Sequence, residues 1–276
     1  MTRLKSMLLL QVLALGGITR AIAQAPGDLF WYRHTGRSRG TANFANNGNG
    51  QKIGNSWNWY TQVFSADDGV MYGVTSAGDL YWYRHQGRSD GTAVFANSGS
   101  PIHIGSGFNI YNKLFAADDG VIYGVTPAGD LYWYQHQGRS DGSAVWANGG
   151  IGIKVGGGFT FEKLFAADDG VIYGITAAGD LYWYQHQGRS DGSWVWANGG
   201  TGIRVGTGWT FNKVFAADDG VIYGITAAGD LYWYQHQGRS DGSWVWANGG
   251  TGIQVGYSWT FSQVFAANDS VIYGIE

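Results

Sequence analysis

At 276 residues the chain can hold one large domain or two small ones. Only 13% of its residues are charged, while Gly numbers 47, Trp 14 and Tyr 17, a composition that disfavours helix and suits short strands joined by tight turns. A net charge of −3 gives no electrostatic footprint for a polyanion, so nucleic acid is set aside as a partner.

The chain begins with Arg3 and Lys5, an apolar stretch from Met7 to Ile18, and the small-residue sequence Ala21-Ile22-Ala23. That order is the pattern of a secretory signal peptide over residues 1–23. The apolar stretch falls short of the roughly 20 residues that span a bilayer, so no membrane span is expected after cleavage. The mature chain, 24–276, is expected to be secreted as a single domain and a monomer. It has no cysteine, so its stability must come from core and topology rather than from disulfides.

From Gly27 onward the chain is a repeat. The segment Gly-Asp-Leu-(Tyr/Phe)-Trp-Tyr starts at Gly27, Gly78, Gly129, Gly179 and Gly229, at spacings of 51, 51, 50 and 50 residues. A period of this size is what a four-stranded propeller blade requires. In the unit that starts at Phe211, the runs FNKVFAA, VIYGIT and DLYWYQHQ, with a fourth of the GIRVG kind, are strand candidates bounded by turn residues. Asp218-Asp219-Gly220 and Ala228-Gly229-Asp230 supply the hairpin turns. In the third run Leu231, Trp233 and Gln235 share one face and Tyr232, Tyr234 and His236 the other, so both faces are largely aromatic and the polar tail is expected near a rim.

The two ends of the repeat complement each other. The first repeat strand, Asp28 to His34, is of the third type, and the last, Val271 to Ile275, is of the second. A blade assembled from these two, with Phe261 to Ala267 and one further strand, closes a ring. The expected fold class is therefore all-β: a five-bladed β-propeller with four antiparallel strands per blade.

One polar cluster recurs in the long segment between third and fourth strands. Its members are Arg88, Asp90 and Asn97; Arg139, Asp141 and Asn148; Arg189, Asp191 and Asn198; and Arg239, Asp241 and Asn248. A guanidinium, a carboxylate and an amide can together meet sugar hydroxyls or an acetamido group, and an aromatic ring can pack on the C–H face of a pyranose. Trp146, Trp196 and Trp246 precede the Asn by two residues, and Trp209 and Trp259 follow further on. The bland reading stands beside this one: Asp-Gly is common turn chemistry, and propeller tryptophans usually pack between blades. His34, His85, His136, His186 and His236 sit at strand ends, where a structural hydrogen-bonding role is expected. The first unit carries Arg39 where the others have Asp, so its pocket is expected to be weak or altered.

No catalytic residue, metal ligand set or cofactor is expected. Glycoside hydrolysis needs two carboxylates with different pKa values at one sugar, whereas the acids here recur with the period and only Glu162 and Glu276 fall outside it. The Asp-Asp-Gly turns lack the alternating oxygen ligands of a calcium loop. Near-identical pockets favour a small repeated ligand and hence multivalent glycan binding; a protein-interaction platform and, less favoured, a glycoside hydrolase stay as alternatives.

The unit, with its aromatic first strand, Gly-turn-(Leu/Ile)-Tyr second strand, polar Asp-containing loop and (Ile/Val)-Gly-x-Gly-Trp finish, resembles the tachylectin family of five-bladed propeller lectins over nearly all of residues 25–276. The resemblance implies one pocket per repeat between adjacent blades, with a preference for N-acetylated sugars such as N-acetylglucosamine. In that family an Asp-Asn-Trp loop contributes to the pocket. Asp90, Asp141, Asp191 and Asp241 look like its Asp, but Gly91, Gly142, Gly192 and Gly242 follow them. Gly208-Trp209 resembles the family's Gly-Trp ending, which Phe108 and Phe159 replace elsewhere.

Overall fold

The computed structural model describes residues 26–267 and 269–276; the expected leader lies outside them. Four blades are contiguous in sequence. They are β3 (Tyr60–Ser65), β4 (Val70–Thr75), β5 (Leu80–Arg84) and β6 (Ile102–Gly105); β7 (Lys113–Ala116), β8 (Val121–Val125), β9 (Leu131–Gln135) and β10 (Ile153–Gly156); β11 (Lys163–Ala166), β12 (Val171–Ile175), β13 (Leu181–Gln185) and β14 (Ile203–Gly206); and β15 (Lys213–Ala216), β16 (Val221–Ile225), β17 (Leu231–Gln235) and β18 (Ile253–Gly256). The fifth is composite, with β19 (Gln263–Ala267) and β20 (Val271–Ile275) inside and β1 (Leu29–Arg33) and β2 (Gln51–Gly54) outside. All pairings are antiparallel, and β1 pairs β20 from Leu29 with Ile275 to Arg33 with Val271.

The inner strands β3, β7, β11, β15 and β19 each touch the next, and β19 touches β3, so the ring is closed. Closure removes the exposed sheet edges that an open array would leave at its ends. No α-helix occurs among the described residues; the remaining regular structure is short 3₁₀ turns. Strand boundaries are tighter than the sequence suggests. Phe211 and Phe261, for example, lie before β15 and β19, where their rings cover Gly224 and Gly274 of the second strands. A side chain at either glycine would collide with that ring, which is why a residue of low strand propensity sits mid-strand.

The core lies in the seams between blades. Each second strand is fully buried, and the Trp of each third strand (Trp31, Trp82, Trp133, Trp183, Trp233) is at most 2% exposed. Every such ring packs under the loop of the following blade, where the αL glycine (Gly91, Gly142, Gly192, Gly242, and Gly40 above Trp233) leaves room for it. Loop conformation and blade packing are thus one problem, solved by the same Gly.

Candidate functional site

The long loop between third and fourth strands leans across the seam onto the preceding blade, and its recurring residues do separate jobs. The histidines are buried, and both ring nitrogens are engaged. His236 Nε2 meets the Ser243 carbonyl at 2.9 Å and must donate to it, so Nδ1 accepts from Tyr173 Oη, 2.7 Å away on the neighbouring blade. His34, His85, His136 and His186 repeat the arrangement with Tyr223, Tyr273, Tyr72 and Tyr123. Burial lowers the pKa of all five imidazoles, and it is the buried neutral form that this pattern needs. The structural role expected for them is what the geometry shows. His236 is not at an exposed rim, although its neighbour Gln235 is partly exposed.

The arginines point inward, toward the ring axis. Arg239 meets Asp168 and Asp169, both at 3.2 Å, on the first hairpin of the preceding blade. Arg189 lies 3.6 and 3.5 Å from Asp118 and Asp119, Arg139 pairs with Asp67, and Arg88 contacts Asp68 and Asp269. Arg37 of the first unit does the same with Asp219 at 2.9 Å. These guanidiniums pin each loop to its neighbour.

Asp90 Oδ1 accepts from Thr92 N and Oγ1 at 3.0 and 2.8 Å, closing its own turn; Asp141, Asp191 and Asp241 accept from the backbone of Ser143, Ser193 and Ser243, each at 2.9 Å. Those backbone donors hold all four carboxyls below the ordinary aspartate value while leaving them exposed to solvent. Asn97, Asn148, Asn198 and Asn248 take the αL conformation, and each donates its amide to a carbonyl three residues on. They too are exposed. Arg, Asp and Asn of one unit therefore do not converge on one point: Asp and Asn face outward, and Arg does not.

Most aromatics proposed from the sequence fill the seam. Trp196 and Trp246 are 9% exposed and donate their indole N–H to Val155 and Val205 carbonyls, both at 2.7 Å, on the outer strand of the preceding blade. Trp146 does the same with Ile104 at 2.8 Å and is half-buried. Trp209 packs at a tilt against Tyr234 and Trp246, and Trp259 against Tyr32, at 6% exposure each.

The exposed aromatics of these loops are others, and Trp59 and Tyr257 are exposed elsewhere. Trp194 and Trp244 stand on the same loops two residues before the seam tryptophans, at 58% and 53% exposure. Trp244 lies under the guanidinium of Arg204 on β14, 6.0 Å from its ring centre, and Arg204 faces Asp180 at 3.5 Å. Only two units carry them, and Ala42, Ala93 and Ala144 stand at this position in the rest, so the recurrence that marks the other loop residues does not mark these. The signal was the break in periodicity.

Two cavities lie on the ring axis. One, of about 40 Å3, is lined in part by Asp67, Asp118, Asp168 and Asp218. The other, of about 320 Å3, opens at the opposite end. Among the described residues no group of three or more His, Cys, Asp or Glu is placed to hold a metal ion, and no helix is long and apolar enough to cross a membrane.

A family model described as Tachylectin matches residues 22–203. No curated protein matches the sequence. Among solved structures, human WBSCR16 is 12% identical with a TM-score of 0.40, and covers 78% of this chain and 57% of its own. Prp20p of Saccharomyces cerevisiae is 10% identical with a TM-score of 0.40, over 82% of this chain and 58% of its own. A mutant of AofleA from Arthrobotrys oligospora is 12% identical with a TM-score of 0.40, over 78% of this chain and 80% of its own. The chain thus spans somewhat under three fifths of the human and yeast structures it matches.

Proposed function

The chain belongs to the tachylectin family, and from that premise we propose that it is a secreted, non-enzymatic lectin that binds N-acetylated sugars such as N-acetylglucosamine at the outer rim of its blade seams. The observation that carries this reading is the repeated placement of an outward-facing Asp and Asn beside four of the five seams, joined in two of them by an exposed Trp. Exposed carboxylate and amide groups supply hydrogen bonds to hydroxyl and acetamido groups, and an exposed indole face supplies the apolar platform for the pyranose ring.

We assign the sugar contacts to Asp90, Asp141, Asp191 and Asp241, to Asn97, Asn148, Asn198 and Asn248, and to the Trp194 and Trp244 platforms. Trp146, Trp196, Trp209, Trp246 and Trp259 are the floor beneath. Arg88, Arg139, Arg189 and Arg239 anchor the loops that present the contacts. A single site with a Kd on the order of 1 mM is worth about −4 kcal/mol, and several such sites engaged on one surface would raise avidity by roughly 10² to 10⁴. Repetition then matters more than the strength of any one site.

A glycan array probed with the purified protein tests this. Retention on surfaces dense in N-acetylglucosamine, released by free sugar only at millimolar concentration, is the expected result. Retention on no glycan would move the reading to a protein-interaction platform, and cleavage of the displayed glycans would move it to an enzyme.

A further inference from the structure

The larger axial cavity is lined by one residue from the same position of each inner strand: Gln62, Lys113, Lys163, Lys213 and Gln263. The two glutamines show what that position does for the fold. Gln62 donates its amide to the Tyr111 carbonyl at 3.2 Å and accepts from Leu114 N at 3.0 Å; Gln263 reaches Tyr60 O at 3.4 Å and accepts from Val63 N at 2.8 Å. Each stitches its inner strand to the next. Lysine cannot accept a hydrogen bond, so the three lysines give up half of that stitch. They also bring three like charges to the lining of one open cavity, where an anion would offset their mutual repulsion.

The wall supplies little to offset them. Lys163 is paired with Glu162, and Lys113 is the second cation that holds the Glu162 carboxyl below its ordinary value. Lys213 has no acidic partner among the described residues, so one carboxylate faces three ammonium groups. All three lysines are half-buried, which strengthens their field relative to freely solvated side chains. At the opposite end of the axis the lining is acidic, through Asp67, Asp118, Asp168 and Asp218. There Asp67, Asp118 and Asp168 are met by Arg139, Arg189 and Arg239, whereas three lysines against the one carboxylate of Glu162 leave the other end positive, and that end favours anions.

We propose that this lysine-lined mouth is an anion site taking one small dianion of the phosphate or sulfate kind, free or as a monoester. Three ammonium groups with rotatable donors suit a tetrahedral oxyanion, which offers acceptors in several directions at once. The site is on the axis and there is one per ring, so it is separate from the rim seams and independent of the sugar reading.

The test compares the protein with the triple variant Lys113→Gln, Lys163→Gln and Lys213→Gln, which installs the residue the same fold already accommodates at two of five positions. Isothermal titration is run with inorganic phosphate and, separately, with glucose 6-phosphate, at ionic strength held constant with sodium chloride. One saturable site per chain for either probe, weakened at least about tenfold in the triple variant, is the expected result. Binding of the ester alone would still support the site and fix the source as a phosphorylated or sulfated monoester. No saturable binding of either probe, or equal binding by both proteins, overturns the proposal. Retention of each protein on the glycan array is measured in parallel. The variant's array binding should be unchanged, so failure of the anion site and failure of the lectin reading give different results.

Discussion

Trp183 Nε1 donates to the Arg239 carbonyl at 2.8 Å across a blade seam, and the same bond joins Trp31 to Arg88, Trp82 to Arg139 and Trp133 to Arg189. Trp233, one blade further on, is buried with no acceptor for its indole N–H among the described residues. The loop above it is that of the first unit, where Arg39 replaces the Asp that closes the turn. Without that acceptor Thr41 N bonds to Gly36 O at 3.2 Å instead, and the loop backbone tightens into a 3₁₀ turn over Arg37–Arg39. Arg39→Asp is expected to restore the turn and offer Trp233 the Arg37 carbonyl. An orphaned buried donor costs roughly 1 to 3 kcal/mol, so calorimetry should show the melting temperature rise by several degrees. A variant melting at or below the parent temperature would contradict this account.

Two glycines separate crowding from backbone strain. An added methyl at Gly192 would lie 2.5 Å from Trp133 Cε3 with φ at +74°, whereas at Gly199, with φ at +62°, it would meet nothing within 4 Å. Gly199→Ala should therefore cost only the left-handed penalty, about 1 to 2 kcal/mol. Gly192→Ala adds a clash inside a packed seam and should cost roughly 1 to 3 kcal/mol more. Urea denaturation of the two variants gives the comparison; equal losses would mean that the loop does not bear on the Trp as described.

Acid should weaken the ring steeply at first and then less so. The five seam histidines have folded pKa values lowered from 6.5 by burial. Unfolding therefore takes up protons below pH 6.5, and stability is lost as pH falls from there. Three axial carboxyls act in the opposite sense. Burial pushes Asp118 and Asp218 up to about 6 and raises Asp168, so between about pH 6 and the unfolded value of 3.8 the folded state holds protons that the unfolded chain has released. In that window falling pH adds stability through these groups. Melting temperature should drop between pH 6.5 and 6 and then fall less steeply toward pH 4. A curve flat from pH 7 to 5 would mean that the histidines titrate normally in the fold.

The ring was legible because each blade repeats the same compromise. A turn Gly, an aromatic strand and a Gly-Asp-Leu start recur at a spacing that only a blade fills, and the two ends of the repeat carry the missing halves of one sheet. The roles within the loop were less legible. Arg239, Asp241 and Asn248 are close in sequence, but a left-handed Gly242 and an αL Asn248 turn the chain between them, so that Arg points to the axis and the others to solvent. Which Trp is buried was also hidden. Trp244 and Trp246 would share a side of an extended segment, but Val245 N bonds back to Ser243 O at 2.8 Å and bends the chain there, and only Trp246 reaches a carbonyl on the neighbouring blade. Pairing across a seam between residues about 40 positions apart has no local sequence signature.

The break in periodicity at Trp194 and Trp244 makes the proposed sugar sites unequal. These two loops present an exposed indole where the others present Ala, and at one of them Arg204 adds a cation over the ring. Titration with N-acetylglucosamine, followed by tryptophan fluorescence, should resolve two stronger sites from the rest. Replacing both residues by Ala should weaken those sites about 5- to 10-fold, a loss of roughly 1 kcal/mol or slightly more at each. Both side chains are more than half exposed, so the melting temperature should stay within about 2 °C. Trp246→Ala is the contrasting case: it empties the seam and removes the bond to Val205, and should cost about 3 to 5 kcal/mol of stability. If the double variant binds sugar as the parent does, the platforms belong to some other ligand, and the sugar contacts must be sought in the Asp and Asn groups alone.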